Sequence, residues 1–305
     1  MGERLNIGGQ AVIEGVMMRS QDYIATAVRK PSGEIVYRRS KLSSKISKIG
    51  KIPFLRGSIS LFEALVTGIK ELTFSANEAE EEGEELSQNQ AILTTIFSLL
   101  LGIGLFIVVP SILSGILFKN NKLFSNLFEA FLRLFFFIFY IWVITFSNDV
   151  KRVYEYHGAE HKSIAAYEHF ADLKPETAKR YTKLHPRCGT SFLLTVMLIA
   201  IVVFSIVDVF VPTPETQIFR ILQRVGLRVC LMPLIAGISY ELQRYSSKHL
   251  NNKFIKFLVA PGLALQKITT REPDLEQLEV AIVAIKAALG EEIDNAREII
   301  KEQKS

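Results

Sequence analysis

Residues 91–118 read AILTTIFSLLLGIGLFIVVPSILSGILF, 28 consecutive residues without a charged side chain. A helix needs about 20 apolar residues to cross the hydrocarbon core of a bilayer. This stretch therefore predicts a membrane-spanning helix, with Pro110 kinking it or marking its outer end. Other stretches of similar length, and the charges between them, decide the rest of the architecture.

Three more stretches are apolar and long enough to cross a bilayer: residues 123–147, 189–207 and 218–240. The first of them carries Glu129 and Arg133, which are four residues apart and can pair on one helix face. The sequence thus predicts a mainly α-helical, polytopic membrane protein with four transmembrane helices.

The last predicted span contains an arginine stripe, formed by Arg220, Arg224 and Arg228. Arginine inside a span is costly and usually faces protein, water or phosphate. The stripe is predicted to bind an anionic group or a lipid headgroup with its forked donors. The alternative is an interfacial helix start, in which only Arg228 is deep enough to need a partner such as Asp208 or Glu129.

Basic residues are distributed unevenly around the predicted spans. Residues 1–90 contain 12 Lys and Arg, residues 148–188 contain 8 and residues 241–305 contain 10. The loop after the first span has only Lys119 and Lys122, and residues 208–217 have none. The positive-inside rule then predicts four crossings, with both termini and residues 148–188 in the cytoplasm.

Composition excludes some classes of protein. The N-terminal residues 1–10 lack the apolar segment of a secretory signal peptide. The net charge of +5 suits cytoplasmic loops that face anionic lipid. A basic stripe interleaved with aromatic residues is absent from the sequence, so the bilayer and not nucleic acid is the predicted partner. Cys188 and Cys230 are expected to be free thiols.

Outside the spans the chain divides into smaller units. Residues 1–50 are predicted to form a small cytoplasmic β-containing unit, because Pro31-Ser32-Gly33 between two strand-like runs signals a hairpin. Residues 51–90 read as an amphipathic helix and an acidic linker, and residues 91–240 as the four-span bundle. Residues 241–305 are predicted to be a cytoplasmic interfacial segment followed by an amphipathic helix.

The C-terminal region carries two predictions. Residues 254–265 are apolar but too short to cross, and Pro261 is expected to break them into a re-entrant or interfacial segment. After Pro273, apolar residues recur every three or four positions and form a stripe along a helix. The N-terminal unit, a second copy or a protein partner is expected to cover this stripe.

The predicted loop of residues 148–188 contains the motif YHGAEHK at residues 156–162. His157 and His161 share one face of a helix and can bind one metal ion, with zinc the first choice. Glu160 is the candidate catalytic base, and the order His-x-x-Glu-His is that of the inverted zinc peptidases. The alternative is a set of polar interfacial residues that bind headgroups or backbone.

Three more residues are candidate metal ligands. His185 and Cys188 stand in the spacing His-x-x-Cys, with His185 the preferred third ligand. The alternative is a turn that enters the third span with a small buried thiol. Glu241, 80 residues after His161, is the remaining candidate, and the alternative for it is an acid at a helix end paired with Arg244.

Several motifs together resemble one family. They are GGQAVIEGVMMR at residues 8–19, YHGAEHK at 156–162, HPRCGTSF at 185–192, AGISYE at 236–241 and LQKITTREPDLEQLEVAI at 265–282. The chain is similar to the YqhQ-like family of bacterial integral membrane proteins over nearly its whole length. The resemblance implies an inner-membrane protein and a predicted metal-dependent enzyme without an assigned reaction. It maps metal-site candidates onto His157, Glu160, His161, His185 and Cys188.

The first functional hypothesis is a metal-dependent hydrolase that acts on a membrane-proximal or lipid-linked substrate at the cytoplasmic face. The second is a non-enzymatic scaffold or assembly factor, in which a His/Cys cluster is structural. Transport is a weaker third hypothesis, suggested by Arg133 and Arg228 near the spans.

Overall fold

The computed structural model describes residues 7–42, 55–80, 87–118, 121–212 and 214–299. Within them lie five strands: β1 Gly8–Val12, β2 Gly15–Arg19, β3 Tyr23–Arg29, β4 Ile35–Lys41 and β5 Arg297–Glu298. The helices are α1 Leu55–Ala79, α2 Gln88–Ile103, α3 Val109–Leu117, α4 Lys122–Ile144, α5 Asn148–Glu168, α6 Pro175–Ala178, α7 Gly189–Phe210, α8 Gln217–Lys248, α9 Lys253–Thr269 and α10 Leu275–Leu289. Residues 81–86, most of the predicted acidic linker, lie outside the described residues.

The strands form one sheet in the order β1-β2-β3-β4-β5. The first four are antiparallel neighbours, and β5 from the C-terminal region pairs parallel to β4. The predicted hairpin at Pro31-Ser32-Gly33 is confirmed, with Gly33 at φ 86° where a side chain would be strained. The β-containing N-terminal unit is therefore confirmed, but its sheet is completed by the other end of the chain.

The sheet, α5 and α10 share one hydrophobic core. Met18 of β2, Tyr156 of α5 and Leu278 of α10 are fully buried within it. The apolar stripe of α10 is thus covered by the N-terminal unit, one of the three alternatives that the sequence left open. The helix is therefore not free for a partner or a second copy, because that contact lies inside the chain.

Four helical segments are long and apolar enough to cross a membrane: Ile92–Leu117, Lys122–Ile144, Gly189–Phe210 and Ile218–Lys248. They confirm the four predicted spans, the least apolar fourth one included. Most of their large side chains face outward, as expected where lipid rather than protein is the neighbour. The fold is thus a four-span bundle joined to a sheet-and-helix unit.

The first span widens into a π-helical turn at Gly104–Val108 before it continues as α3. Pro110 explains this turn, since it has no N–H to give to the carbonyl of Phe106 four residues earlier. Nε of Arg133 on α4 donates to that carbonyl at 2.9 Å. The kink predicted at Pro110 is therefore a wider turn that supplies an acceptor to the neighbouring helix.

A buried ion cluster, with charges from three of the spans and a serine from the first span, joins all four. Nη2 of Arg133 donates to Glu129 at 2.7 Å, which confirms the predicted pair. Arg228 donates from Nε to the same carboxylate at 2.7 Å and from Nη2 to Asp208 at 2.9 Å. Ser111 of α3 adds a hydrogen bond to Glu129 at 2.9 Å. Buried charges persist when they are paired in this way.

Two helices flank the bundle. The predicted amphipathic helix of residues 51–90 is present as α1, which packs on α8. The expected break at Pro261 is wrong, because α9 runs through it from Lys253 to Thr269. The reason is close packing on α7: a Cβ on Gly262 would lie 2.8 Å from the side chain of Ser191.

Candidate metal centre

Helix α5 carries the histidine pair. Its residues 156–167 are buried between the sheet, α10 and the segment before α7. His157 and His161 are one turn apart, and their ring centroids are separated by 4.4 Å. The predicted shared helix face is therefore present, and it points into the protein.

Cys188 joins the two histidines. One ligand atom from each of His157, His161 and Cys188 lies within 4.8 Å of the others, and all three residues are buried. Nε2 of His157 is 3.1 Å from Sγ of Cys188. Zinc binds nitrogen at about 2.0–2.1 Å and thiolate sulfur at about 2.3 Å, so a small adjustment of the three side chains would place all three donors on one ion.

Backbone carbonyls fix the tautomers of both histidines. Nδ1 of His157 lies 2.8 Å from the carbonyl of Thr269, and Nδ1 of His161 lies 2.6 Å from that of Lys183. A carbonyl only accepts, so each Nδ1 carries the proton and each Nε2 keeps its lone pair. Nε2 of His161 is buried without a hydrogen-bond partner among the described residues. Burial lowers the pKa of His161, which favours the neutral form that a metal requires.

Glu160 is buried on the neighbouring face of α5, against β1. Burial raises the pKa of its carboxyl group, while electrostatic interactions with the imidazoles of His157 and His185 and the N–H of Ala11 oppose that rise. Gly9 of β1 makes room for it, because a Cβ there would be 2.9 Å from Cγ of Glu160. This acid beside a possible metal site is a candidate for proton transfer.

His185 lies next to the trio rather than within it. Its ring centroid is 5.6 Å from that of His161, and its Nε2 is 3.5 Å from a carboxylate oxygen of Glu168. Burial raises the pKa of Glu168, but the hydrogen bond from His185 and the charge of Arg187 outweigh it, and the net pKa is lowered. Cys188 therefore lies nearer to the two histidines than His185, the preferred third ligand, and the ligand set stays a prediction.

The remaining predicted site residues lie elsewhere. Glu241 on α8 pairs with Arg56 of α1 through both carboxylate oxygens, and it is not among the three residues whose donor atoms come together. The arginine stripe is divided: Arg228 is buried in the ion cluster, and Nη1 of Arg224 lies at its edge, 3.8 Å from Glu129, and donates to Ser125 at 3.0 Å. Arg220 reaches the carbonyl of Pro214 at 3.2 Å. The structure therefore does not gather the stripe around one open anion site.

The comparisons with known proteins agree with the resemblance in the motifs. The family model described as "Protein of unknown function (DUF1385)" matches residues 52–291. The "Uncharacterized protein YqhQ" of Bacillus subtilis (strain 168) is 34% identical over 294 residues, which cover 90% of this chain and 89% of that protein. The chain belongs to this YqhQ-like family. No solved structure matches it.

In this member of the YqhQ-like family, two glutamines that the sequence did not predict hold the loop of His185 and Cys188. The amide of Gln266 on α9 receives the N–H of His185 at 2.8 Å and donates to its carbonyl at 2.7 Å. Gln243 of α8 donates to the carbonyl of Cys188 at 3.1 Å. The only signal for Gln266 was a polar residue next to an apolar run, which does not specify its partners.

Proposed function

We propose that this chain is a metal-dependent hydrolase of the bacterial inner membrane, with its site on the cytoplasmic face and zinc as its metal. The observation that carries the proposal is the pair of Nε2 atoms of His157 and His161, held beside Sγ of Cys188 by the carbonyls behind them. A set of two nitrogens and one sulfur suits zinc. Three donors leave a fourth position open, as in catalytic zinc sites.

Glu160 is the proposed general base. When bound, the ion supplies Lewis-acid chemistry for hydrolysis. The oxygen of water forms a bond to the carbonyl or phosphoryl centre while the bond to the leaving group breaks. Glu160 takes the proton that water loses and returns it to the leaving group. A raised pKa, caused by burial, brings this carboxyl group nearer to the neutral pH at which a base is most effective.

Elemental analysis of the detergent-purified, full-length protein tests the metal site. We expect close to one zinc per chain in the wild type and almost none in His161→Ala. The matched control is His249→Ala, because His249 bonds only within its own helix end and stacks on Tyr245. Failure of the wild type to retain zinc after incubation with it, in the absence of chelators, would overturn the metal proposal.

A second variant separates catalysis from structure. Glu160→Gln keeps the size of the side chain and removes its basicity, so the protein should retain zinc and its melting temperature. We expect it to lose hydrolysis of membrane-bound ester, amide or phosphoester substrates on which the wild type acts. If it hydrolyses them at the wild-type rate, Glu160 is not the base.

The alternative function is a scaffold whose His/Cys cluster is structural. What favours it is His185, whose ring centroid lies 5.6 Å from that of His161 and which could become a fourth ligand if its Nε2 turned away from Glu168. X-ray absorption of the zinc-loaded protein distinguishes the two functions. A structural site predicts a zinc ion bound by three nitrogens and one sulfur, and one nitrogen ligand should be lost in His185→Ala. Transport gains no support from the bundle: the space beside Arg133 and Arg228 measures 10 Å³, room for a single water.

A further inference from the structure

A cavity of 520 Å³ lies between β1, β2, α1 and the adjoining ends of α7 and α8. This volume is in the range of small-molecule sites, about 300–1,000 Å³. The cavity reaches the candidate metal centre from two sides. Gly9 lines the cavity with one side and packs against Glu160 with the other. Gly189, which follows Cys188 in the sequence, also lines the cavity.

The charged side chains that line this cavity are both arginines, Arg19 of β2 and Arg187 of the segment before α7. Their acidic partners, Glu63 and Glu168, are not among the lining residues. Nη2 of Arg19 is 3.7 Å from Glu63, a loose and partly exposed pair that can give way to a better anion. The amino end of α7 begins at the same wall, and its dipole also favours a negative charge. The charges that line the cavity therefore favour an anion over a cation.

The rest of the lining is largely apolar. Met17, Leu61, Ala64 and Phe192 face the cavity. On the outer face of α1, Phe62 is 68% exposed, and such a side chain is typical of a helix that lies at a membrane surface. Tyr240 and Gln243 place the cavity at the polar end of the fourth candidate span, the level at which lipid headgroups meet water.

We propose that this cavity binds an anionic lipid through a phosphate headgroup, with the phosphate between Arg19 and Arg187 and an acyl chain along α1. Arginine forks match phosphate oxygens, and an acyl chain needs the apolar wall. The proposal rests on the proposed function in one respect: it makes such a lipid the substrate class of the site at Glu160. Binding itself requires no metal and no turnover.

The test is equilibrium binding to the detergent-purified, full-length protein. The probes are dioctanoyl phosphatidic acid, dioctanoyl phosphatidylcholine and inorganic phosphate. We expect phosphatidic acid to bind at least about tenfold more tightly than phosphatidylcholine, since the latter carries a compensating cation. Inorganic phosphate should not compete at the same concentration. Equal affinity for both lipids, or competition by inorganic phosphate at equal concentration, would overturn the proposal.

Two variants locate the site. Arg19→Gln should weaken binding of phosphatidic acid about tenfold, the loss expected for one charge-assisted hydrogen bond. Arg39→Gln is its matched control, because Arg39 lies on the same sheet in a partly exposed pair with Glu298 and outside the cavity. Ala64→Trp fills the cavity and should abolish binding. If Arg19→Gln and Ala64→Trp melt and bind as the wild type does, the cavity is not the lipid site.

The metal site and the lipid site fail separately in this experiment. Zinc content is measured in the same samples, and Arg19→Gln should keep its zinc while losing lipid. His161→Ala should lose zinc and still bind phosphatidic acid within a few-fold of the wild type. A zinc-loaded wild type that binds no phosphatidic acid overturns the lipid proposal alone, whereas a zinc-free wild type that binds it overturns the hydrolase alone.

Discussion

Gly158 allows the backbone around Thr269 and Arg271 to pack closely against helix α5 next to His157. A Cβ at this position would lie 2.0 Å from the carbonyl oxygen of Arg271. That carbonyl belongs to the same short segment as Thr269, whose own carbonyl fixes the tautomer of His157. The N–H of Arg271 donates to the carbonyl of Tyr154 at 2.8 Å, so this segment cannot easily move away from α5. A single absent methyl group therefore lets the backbone orient a candidate metal ligand.

We expect Gly158→Ala to lower stability by about 1–3 kcal/mol, the cost of overpacking a well-packed site. Zinc retention should fall with it, because Thr269 is pushed away from His157. Thermal unfolding in detergent and elemental analysis measure the two effects. Gly102→Ala is the control, since its Cβ meets nothing within 4 Å. A Gly158→Ala protein that melts like the control would contradict this role.

Gln266 is a second residue whose substitution should weaken the candidate metal centre. Besides its two bonds to the backbone of His185, its amide donates to Oγ of Ser191 at 2.7 Å. Gln266→Leu orphans buried backbone groups, each at about 1–3 kcal/mol. We expect faster loss of zinc to a chelator and a lower melting temperature. Gln223→Leu, which removes only an exposed bond to Pro212, should behave like the wild type.

At the scale of elements, a set of buried charges holds the spans together: the acids Glu129 and Asp208 with Arg133, Arg224 and Arg228. Breaking a buried pair costs about 3–5 kcal/mol, because the partner charge remains buried. Glu129→Gln should therefore destabilise the bundle strongly. Adding Arg133→Gln restores the net charge of the wild-type set, so the double variant should be more stable than the sum of the single effects predicts.

Unfolding by sodium dodecyl sulfate in mixed micelles measures this coupling. The control cycle is Glu34→Gln with Arg297→Gln, an exposed pair at 2.8 Å for which we expect almost no coupling. Additive effects at Glu129 and Arg133 would mean that the two charges do not stabilise the spans together. The carbonyl of Phe106, freed by Pro110, would then be the main partner of Arg133.

Local patterns explain which elements were predictable. The spans, the β-hairpin, the helical spacing of His157 and His161, and the pair of Glu129 with Arg133 each depend on neighbours within a few residues. The contacts that the sequence did not predict join residues far apart along the chain. Glu241 pairs with Arg56, 185 positions away, and Pro261 is kept helical by packing on α7. The candidate site was half predictable for the same reason. The spacing along α5 predicted that His157 and His161 share a face, but only the folded chain shows that Cys188 lies closer to them than His185 does.

At the scale of the whole molecule, one core restricts the topology. The sheet, α5 and α10 pack together, although two candidate spans separate the sheet from α5 and two more separate α5 from α10. Segments that share a core must lie on the same side of a membrane. The number of crossings in each interval is therefore even, which agrees with four spans without reference to charge.

Cysteine labelling in intact cells tests this topology together with the predicted orientation. Ser32→Cys lies in the β3–β4 turn, Glu292→Cys after α10 and Glu215→Cys between α7 and α8, all at exposed positions. A membrane-impermeant maleimide should label only Glu215→Cys until the cells are opened, because positive loops stay inside. The unmodified chain is the control, since Cys188 is buried and Cys230 lies within a candidate span. Labelling of Ser32→Cys alone would contradict the shared core, because the sheet and α10 would then lie on opposite sides of the membrane. Labelling of both Ser32→Cys and Glu292→Cys without Glu215→Cys would mean that the orientation is the opposite of the predicted one and that the His/Cys centre lies at the outer face.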